Sequence, residues 1–85
     1  MVNVHAKKFY TVVMDGTRED HVDFVMNIID DLNDKELGKS TCRPLDNKHP
    51  DKIVIETRTT EVKYGLIQYM IDLALPGRCI FNPPM

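Results

Sequence analysis

The sequence predicts an α+β domain in the order β-α-β-β-α-β, with one four-stranded antiparallel sheet carrying two helices on one face. Three observations predict it. Two stretches rich in aromatic and β-branched residues, Lys8 to Met14 and Lys52 to Arg58, read as strands. Two longer stretches repeat apolar residues at helical spacing, one after each strand. Two short, interrupted apolar segments, Ser40 to Leu45 and Arg78 to Phe81, complete the alternation.

The first strand, Lys-Phe-Tyr-Thr-Val-Val-Met, stops at the turn signal Asp15-Gly16. Thr17-Arg18-Glu19-Asp20 then fits a capping box, a hydroxyl followed three residues later by an acid. Val22, Val25, Ile29 and Leu32 recur at helical spacing, with Phe24, Met26 and Ile28 widening the stripe, and the helix is expected to end between Asn33 and Leu37 with Gly38 as a stop. Pro44 lacks the amide that a central strand must donate, so Ser40 to Leu45 belongs at a sheet edge. Asp46 to Pro50 is a turn by composition. Lys52 to Arg58 is the clearest strand. Thr59 or Thr60 can cap a second helix running through Val62, Leu66, Tyr69, Met70 and Leu73 to Ala74-Leu75, ended by Pro76-Gly77. Tyr64, Ile67, Ile71 and Ala74 widen that stripe, so the helix is apolar nearly all round. Packing against the first helix and the chain ends is expected, and the excess width permits an interface. Arg78 to Phe81 is the last strand.

This order is the split βαβ arrangement of the ferredoxin-like fold. Right-handed crossovers give the spatial strand order 4-1-3-2, with the longer, more apolar first and third strands central and the proline-bearing strand at an edge. At 85 residues the chain is expected to form a single domain over 1–85.

Composition narrows the function classes. Hydrophobic residues make up 42% and charged residues 28%, which is ordinary for a globular domain. No apolar run reaches the roughly 18 residues of a membrane span, and the first residues contain no apolar leader core. A cytoplasmic protein without membrane association is expected. The net charge of −2 argues against direct binding of nucleic acid, whose footprint is basic.

Catalytic and metal chemistry find no support. Cys42 and Cys79 fall on opposite edge strands, too far apart to bridge, and no Cys-x-x-Cys exists. Metal chaperones of this topology carry paired cysteines after the first strand, where this chain has Asp15-Gly16-Thr17-Arg18. His5, His21 and His49 share no metal-ligand spacing. Ser40 is the one serine, with no base marked for it. An acylphosphatase-type loop would place Arg18 against phosphate, but Glu19-Asp20 beside it would repel the anion. RNA recognition on the sheet needs stacking aromatics on both central strands. Phe9 and Tyr10 supply one and the third strand supplies none. No catalytic residue, metal or cofactor is therefore expected.

What stands out is charge placement. Asp15 to Glu36 holds eight acids against two bases, while the chain on either side is mildly basic. Asp20, Asp23, Asn27, Asp30 or Asp31, and Asp34 recur every three or four residues opposite the apolar stripe. Asp30, Asp31 and Asp34 lie at the C-terminal end of the helix, where the macrodipole disfavours negative charge by roughly 0.3–1 kcal/mol each. A solvated helix face explains such a stripe about as well as a binding role does. The sheet offers a second surface. Phe9, Val13 and Val54 fall on the face away from the helices and are expected to form one apolar patch, suited to a homodimer or another partner.

The expected function is a small non-enzymatic regulator or inhibitor. It would bind another protein through Asp20, Asp23, Asp30, Asp31 and Asp34. Carboxylates one turn apart approximate the spacing of phosphates along a nucleic-acid strand, so a basic nucleic-acid-binding protein is the partner class they suggest. A homodimer through Phe9, Val13 and Val54, or through an edge strand, is expected alongside. In style the chain resembles the small host-modulating proteins of bacteriophages. The alternative is an effector-binding regulatory domain. Over about four residues Asp15-Gly16 resembles the loop after the first strand of ACT-type domains, which are similar in topology and bind amino acids there. A glycine that simply turns the chain is the preferred reading of Gly16.

Overall fold

The structure, a computed structural model, describes residues 6–33 and 40–82. Its elements are β1 (Lys7–Asp15), α1 (Glu19–Leu32), β2 (Thr41–Pro44), β3 (Lys52–Thr60), α2 (Glu61–Ala74) and β4 (Cys79–Asn82). The strands form one antiparallel sheet in the order β2-β3-β1-β4, the expected ferredoxin-like arrangement.

Alternation decides which side of the sheet each residue takes. Tyr10, Val12 and Met14 of β1 are buried, as is Ile55 of β3. They pack on Val25 and Ile29 of α1 and on Tyr64, Ile67 and Ile71 of α2. β1 and β3 pair from Lys7 opposite Thr60 to Asp15 opposite Lys52, so the two central strands hold each other along their full length. Pro44 sits on the edge strand, pairing with Ile53, where its missing amide costs no ladder bond inside the sheet. Cys42 and Cys79 lie on the two opposite edges.

Three local expectations change. Thr17 does not cap α1. Its amide and hydroxyl both donate to Asp15 Oδ1, at 2.9 and 2.7 Å. That turn holds Thr17 one residue before the cap, which falls on Arg18 without a side-chain bond. α1 ends earlier than expected, at Leu32. Asn33 turns to extended backbone, and its buried side-chain amide donates to Thr57 Oγ1 on β3 at 2.7 Å. Anchoring that side chain to the sheet takes the chain off the helix axis. Gly38 and Asp34 lie outside the described residues.

The third change is larger. α2 starts as expected, with the Thr60 hydroxyl accepting from Lys63 N, and the chain turns away through Gly77 at φ 71°. The helix, however, buries Tyr64, Ile67 and Ile71, not the stripe of Val62, Leu66, Tyr69, Met70 and Leu73. An aromatic anchor selects this face. The Tyr64 ring stacks on Tyr10 with centroids 4.2 Å apart, and its hydroxyl donates to Thr11 O at 2.7 Å.

That anchor gives the fold an alkaline limit. Burial pushes the Tyr64 phenol from its ordinary 10.0 up to about 12, and burial raises Tyr10 in the same direction. The native state therefore holds these protons more tightly than the unfolded chain. Their contribution to stability is whole below pH 10.0 and falls as the pH climbs towards about 12. Circular dichroism followed through an alkaline titration should show unfolding coupled to tyrosinate absorbance. Tyr64→Phe, which keeps the stacked ring, should flatten the loss.

Candidate binding surface on the first helix

The outer face of α1 is set by what its inner face buries. Val25 and Ile29 are fully enclosed, with Val22 and Leu32 packed beside them. Successive residues turn by about 100°, which carries Asp20, Asp23, Asn27 and Asp31 to the opposite, exposed side. Phe24 falls among them and is 38% exposed. It was expected to widen the core stripe. Its helical position between Asp20, Asn27 and Asp31 was the available signal that it would face outward.

The predicted carboxylates divide into different roles. Asp20 forms a two-pronged pair with Arg18, Nη2 to Oδ2 at 3.0 Å and Nε to Oδ1 at 3.2 Å, which holds its carboxyl below the usual range. Asp23 and Asp31 are exposed and make no ion pair among the described residues. The last turn of α1 contains no base to offset Asp31. Asp30 is not on the open face. It is part-buried and accepts from Ser40 N at 3.0 Å and Ser40 Oγ at 3.1 Å, tying the start of the second strand segment to the helix. Asp30 thus has a structural task, and the row of five narrows to Asp20, Asp23 and Asp31 around Phe24. Asp34 is outside the described residues.

Next to this face lies a cleft of about 300 Å³ bounded by Gly16, Glu19, Val22, Asp23, Cys42 and Ile53. Gly16 N donates to Asp51 O at 2.7 Å, which holds the β1–α1 loop against the residue just before β3. Two carboxylates one helical turn apart, Glu19 and Asp23, make the opening acidic. The sequence marked Gly16 but not this pairing, since Cys42 and Ile53 arrive only through strand pairing. Among the described residues no group of three His, Cys, Asp or Glu side chains could hold a metal ion.

The sheet surface differs in shape from the expected patch. Phe9, Val13 and Val54 do share the face away from the helices, with Val13 opposite Val54. Thr11 and Glu56 form the row between them and Phe9, so the three are not contiguous. Val54 is only 3% exposed, whereas Ile80, next to Val13 on β4, is open.

The protein is thus a small ferredoxin-like α+β domain with an acidic, aromatic-centred helix face. No protein-family model matches the chain, and no curated protein is found to resemble it in sequence. Among the described residues no helix is long and apolar enough to cross a membrane.

Proposed function

We propose that this protein is a non-enzymatic regulator that binds a basic, nucleic-acid-binding protein through Asp20, Asp23 and Asp31 of α1 and blocks it. The observation that carries this reading is Asp31 together with Asp23, exposed carboxylates without a basic counterpart on a helix whose last turn has no base. A charge kept where the macrodipole disfavours it is better explained by a partner than by the fold. Phe24 adds an apolar anchor inside the charged surface, the arrangement in which an aromatic supplies affinity and the rim supplies steering. Such a protein would act in the cytoplasm, in the manner of the phage-type host modulators.

The test compares the protein with a variant carrying both Asp23→Lys and Asp31→Lys. The variant should fold as well as the parent, because both positions are exposed and a lysine at position 31 suits the helix C-terminus better than aspartate. With each immobilised, nuclease-treated lysate should yield basic proteins that the parent retains at low salt, releases at high salt, and the variant fails to hold. Purified, such a protein should lose its nucleic acid to the parent in competition. Equal retention by parent and variant would reduce the surface to a solvated face.

A second reading rests on the cleft at Gly16, where an ACT-like domain would bind its effector. Its volume of about 300 Å³ sits at the lower end of ligand pockets, and Glu19 and Asp23 would favour an amine-bearing ligand. A melting temperature that rises with the concentration of an amino acid or nucleotide would support it, as mass action requires.

A further inference from the structure

The outward face of α2 carries large apolar side chains. Val62 and Tyr69 are each 65% exposed, Leu66 47% and Leu73 73%, with Met70 at the margin. With about 3.6 residues per turn, Val62, Leu66, Tyr69 and Leu73 fall within one narrow arc, opposite the arc of Tyr64, Ile67 and Ile71 that enters the core. Their spacing is four, three and four. That is the alternation of a coiled-coil seam over two heptads, the pattern that seats knobs from another helix.

We propose that this seam is a homodimer interface, in which α2 of one copy packs antiparallel against α2 of a second copy. The spacing itself favours a second copy. Four-three-four reads the same in both directions, so an antiparallel pair places Val62 opposite Leu73 of the other copy and Leu66 opposite Tyr69, the self-complementarity a two-fold interface requires. Scaled by their exposure, the five residues offer on the order of 500 Å² per copy, so their full burial would remove roughly 1,000 Å², the lower limit of a specific interface. Gly65 adds an independent observation. It lies in mid-helix beside the seam, and a Cβ there would meet nothing within 4 Å. Nothing among the described residues therefore calls for glycine, although glycine weakens a helix relative to alanine. Close approach of a second backbone along that flank accounts for it. This interface uses none of Asp20, Asp23 and Asp31, so it does not rest on the function proposed above. It also differs from the sheet-face dimer through Phe9, Val13 and Val54.

Sedimentation velocity across micromolar to millimolar protein tests it. The parent should dimerise, and Leu66→Glu with Tyr69→Glu should raise the dissociation constant at least ten-fold. The circular dichroism of the monomer should be unchanged, since both side chains are exposed in it. Ile80→Glu on the open sheet face should leave association intact. Gly65→Ala should weaken association while raising helix content or leaving it unchanged. For orientation, Cys42 and Cys79 are replaced by Ser. A mixture of Val62→Cys and Leu73→Cys chains should then cross-link to the mixed dimer, and neither chain alone should do so. A parent that stays monomeric at millimolar concentration overturns the proposal. So does a dimer that survives the double glutamate variant or is lost with Ile80→Glu. Association that Gly65→Ala strengthens or leaves unchanged overturns the close approach, and Leu73→Cys chains that cross-link alone overturn the antiparallel order.

Discussion

Ile71→Ala is expected to lower the unfolding free energy by about 2–5 kcal/mol, while Leu73→Ala two residues away should change it by no more than about 0.5 kcal/mol. Both are large aliphatic residues of α2 and sequence pattern alone offers no reason to separate them. The structure separates them completely. Ile71 is fully enclosed between the sheet and α1, and its removal leaves a cavity that packed neighbours cannot refill. Leu73 faces solvent. For a domain whose total stability is about 5–15 kcal/mol, the first change removes a substantial part of it. Urea denaturation at low protein concentration, where any self-association is absent, reads both effects. Comparable losses for the two variants would mean that α2 is rotated from the orientation described.

Gly16→Ala is expected to destabilise the protein by about 1–3 kcal/mol, the range for forcing volume into a packed site. The added methyl would stand 2.6 Å from Ile53 Cγ2 and 3.4 Å from Asp51 O. The Cγ2 methyl sits directly on the branched Cβ of Ile53, which belongs to β3, so it cannot swing aside as the tip of a long side chain would. The loop must move instead, lengthening the Gly16 N to Asp51 O bond and reshaping the cleft beside Glu19 and Asp23. Gly65→Ala is the matching control. With open space around its Cβ it should stabilise the monomer by up to about 1 kcal/mol through helix propensity alone. Thermal unfolding of the two alanine variants at low protein concentration, where self-association is absent, should therefore move in opposite directions.

Most of the fold was legible in the residues. Alternation in Lys-Phe-Tyr-Thr-Val-Val-Met already placed Tyr10, Val12 and Met14 on the core side, because side chains on a strand have only two directions. Pro44 assigned its own strand to an edge, since no partner can accept a bond from a missing amide. α1 was legible because one of its sides is apolar and the other charged. The candidate surface was legible in part. Asp23 and Asp31 stand where the helical period puts them, but Asp30 was claimed by Ser40, a contact made by a chain segment ten residues on. Phe24 could have been placed by the same helical arithmetic, yet apolarity argued the other way.

Local chemistry thus determined the element types, their order and the central position of β1 and β3. Those follow from periodicity, proline, turn residues and the handedness of crossovers, all of which act over short stretches of chain. Only the tertiary structure decided which side of α2 enters the core. An apolar stripe runs along both sides of that helix, so hydrophobic burial alone favours neither. The choice falls to the stacking of Tyr64 on Tyr10 and the hydroxyl bond to Thr11, contacts between residues more than fifty positions apart. They turn Ile67 and Ile71 inward and leave Val62, Leu66, Tyr69 and Leu73 facing out.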